Sequence, residues 1–327
     1  MKSLIEAFPN HITEAKAIVD NYTFKKPENT INNLIMCGLG GSGIGAKLVA
    51  TWIADQIKVP VAVSNEYQLP AYANKNTLVI CSSYSGNTEE TIASIGDAQA
   101  RGCHIMAISS GGQLKAICEE NNYDCVIVPG GNPPRSTLAY SLVILVQMFA
   151  DLGLIDPSNV DNLQATSTLL TDNQTEIRAT GEDIAKFLYG KVGVLYSETK
   201  YEGVTIRARQ QFNENSKFLC WQHTIPEMNH NELVGWGGGD ERFAPIFLCT
   251  GDLNPRNQKR MDITREIVER KTGPAFCLEA KGENFIARSM YLINVLDWAS
   301  FYLCEMNGAD IMDIISIDYL KGQLANF

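Results

Sequence analysis

The chain has no hydrophobic run long enough to cross a membrane: the longest, Leu142 to Ala150, is broken by Gln147 and falls well short of the ~20 residues a span needs. It has no block of five or six Lys and Arg, and 37 acidic against 27 basic side chains leave a formal charge of -10, which argues against nucleic acid as a partner. Its nine cysteines are scattered, odd in number and without a CxxC pair, so they read as reduced core thiols. The opening MKSLIEAFPNHITEAKAI carries acids and a proline where a secretory leader would have a basic head and an unbroken apolar run. That absence, with unpaired cysteines, points to the cytoplasm. No short repeat or low-complexity tract occurs.

What is present describes an ordinary packed protein. At ~150 residues per domain, 327 residues give about two domains, with 45% hydrophobic, 20% charged and 9% aromatic side chains. From Asn33 short apolar runs alternate with amphipathic stretches, the pattern of parallel strands covered by helices, so the fold class is α/β, doubly wound. Strands are predicted at Leu34 to Cys37 and Thr77 to Ser83, a long apolar helix over Arg135 to Leu152, and beyond it a connector through Pro157 and Asn159. A second series follows a helical stretch near Thr166 to Leu188, with a helix over Tyr201 to Ser216 and another over Arg256 to Lys271. Residues 1–153 and 154–327 are the two expected domains.

Two glycine turns carry the chemistry of the first half. GLGGSG, Gly38 to Gly43, follows a strand and opens a helix, the setting of a dinucleotide fingerprint. A ribose-binding acid is expected ~20 residues on, and Glu66 is the one candidate, so a nicotinamide-dependent oxidoreductase stands as one reading and a plain tight turn as another. CSSYSGNTEET, Cys81 to Thr91, follows the next strand. Ser83, Ser85 and Thr88 put three hydroxyls around a glycine turn at a helix start, where backbone N–H groups and the positive dipole end attract an anion. The donors converge on one point, which suits a phosphomonoester better than an extended diphosphate. Ser and Thr are also ordinary turn and N-cap residues, and that plainer reading stays open.

GLGGSG followed by SSYSGNTEET resembles the sugar isomerase (SIS) domain. PPRSTLAYS, NENSK and PEMNHNE, in that order, extend the resemblance to the bifunctional phosphoglucose/phosphomannose isomerase family, from Met36 to Lys321. The resemblance implies two tandem doubly wound SIS-type domains with parallel sheets flanked by helices. It implies interconversion of hexose 6-phosphates, glucose with fructose and mannose with fructose, with no cofactor and no metal.

Moving a proton between C1 and C2 through an enediolate requires a base, an oxyanion stabiliser and a ring opener. Glu214, in FNENSK, is the candidate base, since a carboxylate shielded from water can work near neutral pH. Arg135, after Pro133-Pro134, would supply the fixed cation facing the enediolate. Gly41 and Ser42 would offer donors to the sugar or phosphate, and His230 suits ring opening by its near-neutral titration. The resemblance implies that His230 acts in the neighbouring subunit of a homodimer and that Lys321 assists at the ring oxygen. His223, Glu227 and His230 are not read as a metal site, because HxxxExxH with Pro226 inside it presents no shared helical face. In dual-specificity relatives a small hydroxyl residue precedes the terminal lysine; between Asp310 and Ile317 only Ser316 offers one. A non-enzymatic sugar-phosphate regulator would share the phosphate cradle but would need no base, cation or histidine.

Overall fold

A computed structural model describes residues 1–326. The chain divides into two compact units. The first comprises Glu6–Asp172 with Gly282–Ala287, and the second Met1–Ile5, Asn173–Lys281 and the chain from Arg288 onward.

The first unit is built on β1 (Asn33–Cys37), β2 (Val61–Ser64), β3 (Thr77–Ser83), β4 (His104–Ser109) and β5 (Asp124–Ile127), all parallel in the order β2-β1-β3-β4-β5. β3, TLVICSS, is buried at every residue, because helices cover both faces of a parallel sheet and neither set of alternating side chains meets water. On one face Ile35, Cys37, Val79, Cys81, Ala107 and Ile95 form a closed cluster, each large apolar chain contributing about 1.5–3 kcal/mol on burial. The strand order reverses between β1 and β3, so the loops leaving their carboxyl ends flank a crevice where α/β sheets bind ligands.

Two expectations need correction here. The connector placed around Pro157 and Asn159 is the start of a helix, Ser158–Asp172. Proline is tolerated at a helix entrance, and the Asp156 carboxylate accepts the Ser158 N–H at 2.8 Å, so this Pro begins a helix instead of ending one. Arg135 is not in the long apolar helix, which runs Leu138–Asp151; it lies in a separate 3-10 turn, Pro134–Ser136.

The second unit is built on β6 (Val192–Glu198), β7 (Cys220–Ile225), β8 (Phe243–Cys249) and β9 (Phe276–Glu279), parallel in the order β7-β6-β8-β9. Its core gathers Val194, Tyr196, Ile225, Met228, Trp236 and Phe247. The 22-residue helix Phe285–Met306 contributes Trp298, Tyr291 and Leu292, all buried. Arg207 and Asp297 meet at 2.9 Å with almost no exposure, a pair whose separation would strand a buried charge. The thiol expectation also needs one correction: Cys249 and Cys277, on adjacent strands with Cα atoms 6.0 Å apart, are joined as a disulfide. Cys37, Cys81, Cys103, Cys118 and Cys304 are free and buried, and Cys125 and Cys220 free and half-buried. No helix among the described residues is long and apolar enough to span a membrane.

Candidate active site

Parallel pairing of Cys37 with Cys81 brings the ends of β1 and β3 side by side, so both glycine turns emerge at the same edge of the first sheet. Gly38 has to lack a side chain: a Cβ there would stand 2.8 Å from the Ser82 carbonyl. The Gly40–Trp52 helix begins within the GLGGSG turn, which places its dipole's positive end at that edge. Gly41 sits against the Pro134–Arg135 backbone, with Pro134 O 3.0 Å from where its Cβ would be, so Gly41, Ser42 and Arg135 are brought together. Arg135 is 5% exposed, and the turn around it is closed by Ser136 Oγ donating to Pro133 O at 2.7 Å and Thr137 Oγ1 to Pro134 O at 2.9 Å.

The SSYSGNT loop is held by its own hydroxyls. Ser83 Oγ and Thr88 Oγ1 are 2.8 Å apart, Gly86 N–H donates to Ser83 Oγ at 3.1 Å, and Asn87 N–H donates to Ser85 Oγ at 3.2 Å. Ser83 is buried and shapes the loop, whereas Ser85 is exposed and Thr88 half-exposed at the entrance of the Glu89–Ala100 helix. A narrow cleft of about 10 Å³ beside these turns is lined by Ser42, Tyr84, Ser109, Thr137 and Tyr140. Tyr84 and Tyr140 carried no sequence signal of a role. Tyr84 ties the neighbouring loop by donating to Pro129 O at 2.9 Å, and Tyr140 donates to the Glu14 carboxylate.

In the second unit each chemical side chain is presented by clamps on either side of it. Glu214 is half-buried near the end of the Glu202–Ser216 helix. Asn213 Nδ2 donates to Phe218 O at 2.8 Å, Asn215 Nδ2 to Ser300 Oγ at 3.0 Å and Ser216 Oγ to Ser300 O at 2.6 Å, while Lys217 takes the left-handed conformation that stops the helix. The other letters of NENSK therefore fix the backbone on which Glu214 rides.

His230 is exposed at the end of a short 3-10 turn, Glu227–His230, that follows β7. Asn229 Nδ2 donates to Thr264 Oγ1 at 2.7 Å, and Asn231 Oδ1 accepts from Glu232 N–H at 2.6 Å. Glu232 anchors this segment: its carboxylate accepts Trp221 Nε1 at 3.1 Å and the Tyr196 hydroxyl, and lies 2.6 Å from His223 Nδ1. Tyr196 in turn accepts Trp236 Nε1 at 2.9 Å. The network stood within the quoted PEMNHNE segment, but its partners Tyr196, Trp221 and Trp236 come from elsewhere in the chain. Lys321 is exposed on the Ile315–Leu324 helix.

The topology separates two of these residues. The Glu202–Ser216 helix links two parallel neighbours, β6 and β7, and so runs back against them; Glu214 lies where β7 begins and His230 lies past where it ends. The six residues of β7 put roughly 20 Å between those edges at ~3.3 Å per residue. Within this unit, the structure does not bring Glu214 and His230 together.

Two parallel α/β sheets flanked by helices, with polar turns at their strand ends, define a tandem SIS-domain protein. The SIS domain matches residues 30–150, and the bacterial phospho-glucose isomerase C-terminal SIS domain matches residues 177–324. The chain belongs to the bifunctional phosphoglucose/phosphomannose isomerase family. Such a protein of Caldicellulosiruptor bescii is 34% identical over 328 residues, covering 97% of this chain and 96% of its own. Another, of Aquifex aeolicus, is 33% identical over 294 residues, covering 89% and 90%. Among solved structures, the C-terminal domain of glucosamine-fructose-6-phosphate aminotransferase from Francisella tularensis superposes with a TM-score of 0.75 at 12% identity over 95% of this chain and 96% of its own, a likeness of fold.

Proposed function

We propose that this chain interconverts glucose 6-phosphate and fructose 6-phosphate, and mannose 6-phosphate and fructose 6-phosphate, by moving a proton between C1 and C2 through an enediolate. The observation that carries this is family membership over nearly the whole chain, with SSYSGNT, PPRS, NENSK and PEMNHNE all in place. The two aldoses differ only at C2, so one planar enediolate serves both.

In this reading residues 1–153 bind the sugar phosphate and residues 154–327 supply the base. Ser85 and Thr88 donate to the phosphoryl group on a loop shaped by Ser83, with Gly41 and Ser42 offering further donors. Glu214 takes the proton as general base, Arg135 stabilises the enediolate charge, and His230 and Lys321 serve ring opening. No cofactor and no metal enters the chemistry. The enzyme works as a cytoplasmic homodimer in which His230 serves the neighbour's site. Two observations support that last point: the distance between Glu214 and His230 along β7, and the exposed apolar side chains beside His230 and Lys321, Val234 at 83% and Ile315 and Tyr319 at 72% and 70%.

The test is an activity panel over the three hexose 6-phosphates with EDTA present. Turnover in both directions between fructose 6-phosphate and each aldose, unchanged by the chelator, is expected. Saturable phosphosugar binding without any turnover would instead make the chain a sensor, and a thermal shift with NAD would revive the oxidoreductase reading.

A further inference from the structure

The carboxyl ends of β8 and β9 hold a second set of reactive groups, none of which has a part in the proposed isomerisation. Cys249 closes β8, and Cys277 lies on β9 beside it, bonded sulfur to sulfur. Both are half-buried at the wall of a cavity of about 190 Å³ that Gln258, Met261 and Arg265 also line. Arg265 Nη1 stands 3.0 Å from Cys277 Sγ, whereas Cys249 Sγ lies 3.7 Å from the Phe247 carbonyl, where a thiol proton would donate. Glu269 lies 4.0 Å from Arg265 Nε, on the same helix.

We propose that Cys249 and Cys277 form a peroxide-responsive dithiol, with Cys277 as the attacking sulfur and Cys249 as the resolving one. A guanidinium against one sulfur favours its thiolate, the nucleophilic form, and the cavity gives a small hydroperoxide access to it. The Cys277 thiolate attacks the hydroperoxide; the O–O bond breaks, an alcohol or water leaves after taking a proton, and Cys277 becomes a sulfenic acid. The Cys249 thiolate then attacks that sulfur and expels water, forming the S–S bond. Two thiols lose two electrons in all and one peroxide gains them. The Cα separation of 6.0 Å lies within disulfide range, so closure needs no strand movement. Cys220, also half-buried, is the contrast: burial pushes its thiol up to about 12 in spite of the Arg209 charge nearby.

The experiment uses the full chain, reduced with a dithiol, freed of it under nitrogen and exposed to one equivalent of hydrogen peroxide, with peptide mapping of all nine cysteines over time. A Cys249–Cys277 cross-link that forms before the other seven thiols are consumed is expected. Arg265→Gln should slow it about tenfold or more, the effect of roughly one pKa unit on thiolate content, and Arg265→Lys should restore part of the rate. Cys249→Ser should leave a sulfenic acid on Cys277 that dimedone traps. The wild-type time course and the Arg265 variants decide independently of how well Cys249→Ser folds. Oxidation of the pair no faster than of Cys220, or a rate indifferent to Arg265, overturns the proposal. So does a one-to-one zinc complex of the reduced protein that blocks the cross-link, since Glu279 stands close enough to complete a metal site with both sulfurs.

Discussion

The SSYSGNT loop of the first unit and the His230 segment of the second are both short, polar and rich in turn residues, yet their partners come from different distances. Ser83 bonds to Gly86 and Thr88, Ser85 to Asn87, and the adjoining turn after β4 adds Ser110 N–H donating to Tyr84 O and Leu114 N–H to Gly86 O. The segment around His230 is held by Thr264, Tyr196, Trp221 and His223, from three other elements. A loop held by its own hydroxyls and by the turn of the neighbouring strand takes its shape once those two strands are paired. A segment pinned by distant partners has its geometry only once the whole unit has packed. Anion binding can use the first kind, because it needs a concave set of donors. Proton transfer needs a group set to within fractions of an ångström, which the second kind supplies.

This contrast can be broken or sharpened in four ways. The largest effect belongs to Glu214→Gln, which should lower isomerase kcat by ~10²-fold or more, as loss of a general base does, while leaving phosphosugar KM nearly unchanged. Equal loss in KM would move Glu214 from chemistry to binding. Next, co-refolding Glu214→Gln with His230→Ala should recover roughly a quarter of wild-type activity: half the dimers are mixed and each restores one of two sites. No recovery would return His230 to its own chain's site.

Gly86→Ala tests the SSYSGNT loop where it meets the turn after β4. Gly86 has φ of +70°, and an added Cβ would fall 1.8 Å from the Gly111 carbonyl, so backbone must move. A loss of about 3 kcal/mol or more in denaturant unfolding is expected, with a raised KM for hexose phosphate. Smallest is a pH effect on the first unit. Burial holds His11 and His104 below the ordinary histidine value of 6.5. Their neutral forms favour the folded state, so the unfolded chain takes up protons first. Stability is full above pH 6.5 and declines as pH falls through that value and on through the lower folded-state values. Denaturant midpoints between pH 8 and 5 should show this slope, and His11→Gln with His104→Gln should flatten it.

Much of the fold was legible because strands buried on both faces of a parallel sheet carry near-continuous apolar runs, and the LVIC of TLVICSS and LIMC are such runs. The misreadings share a cause. Pro157 and Asn159 are breakers inside a helix but good starters at its entrance, and only the packing of Val160, Leu163 and Leu170 decides which applies. The Phe285–Met306 helix escaped notice because it is apolar nearly all round, and a helix buried on every side lacks the amphipathic stripe that a periodicity search detects.

The residue order by itself determined what depends on neighbours in the chain: the glycine turns after β1 and β3, the hydroxyls of the SSYSGNT loop, and the identity of Glu214, Arg135 and His230 as chemically able groups. Tertiary structure alone decided what depends on distance through space. It set Gly41 against the Arg135 turn, put Glu214 and His230 at opposite edges of the second sheet, made Glu232 the anchor of the histidine segment, and laid Cys249 beside Cys277 across a sequence separation of 28. Strand pairing and helix direction create these proximities, and neither is written in the spacing of any single motif.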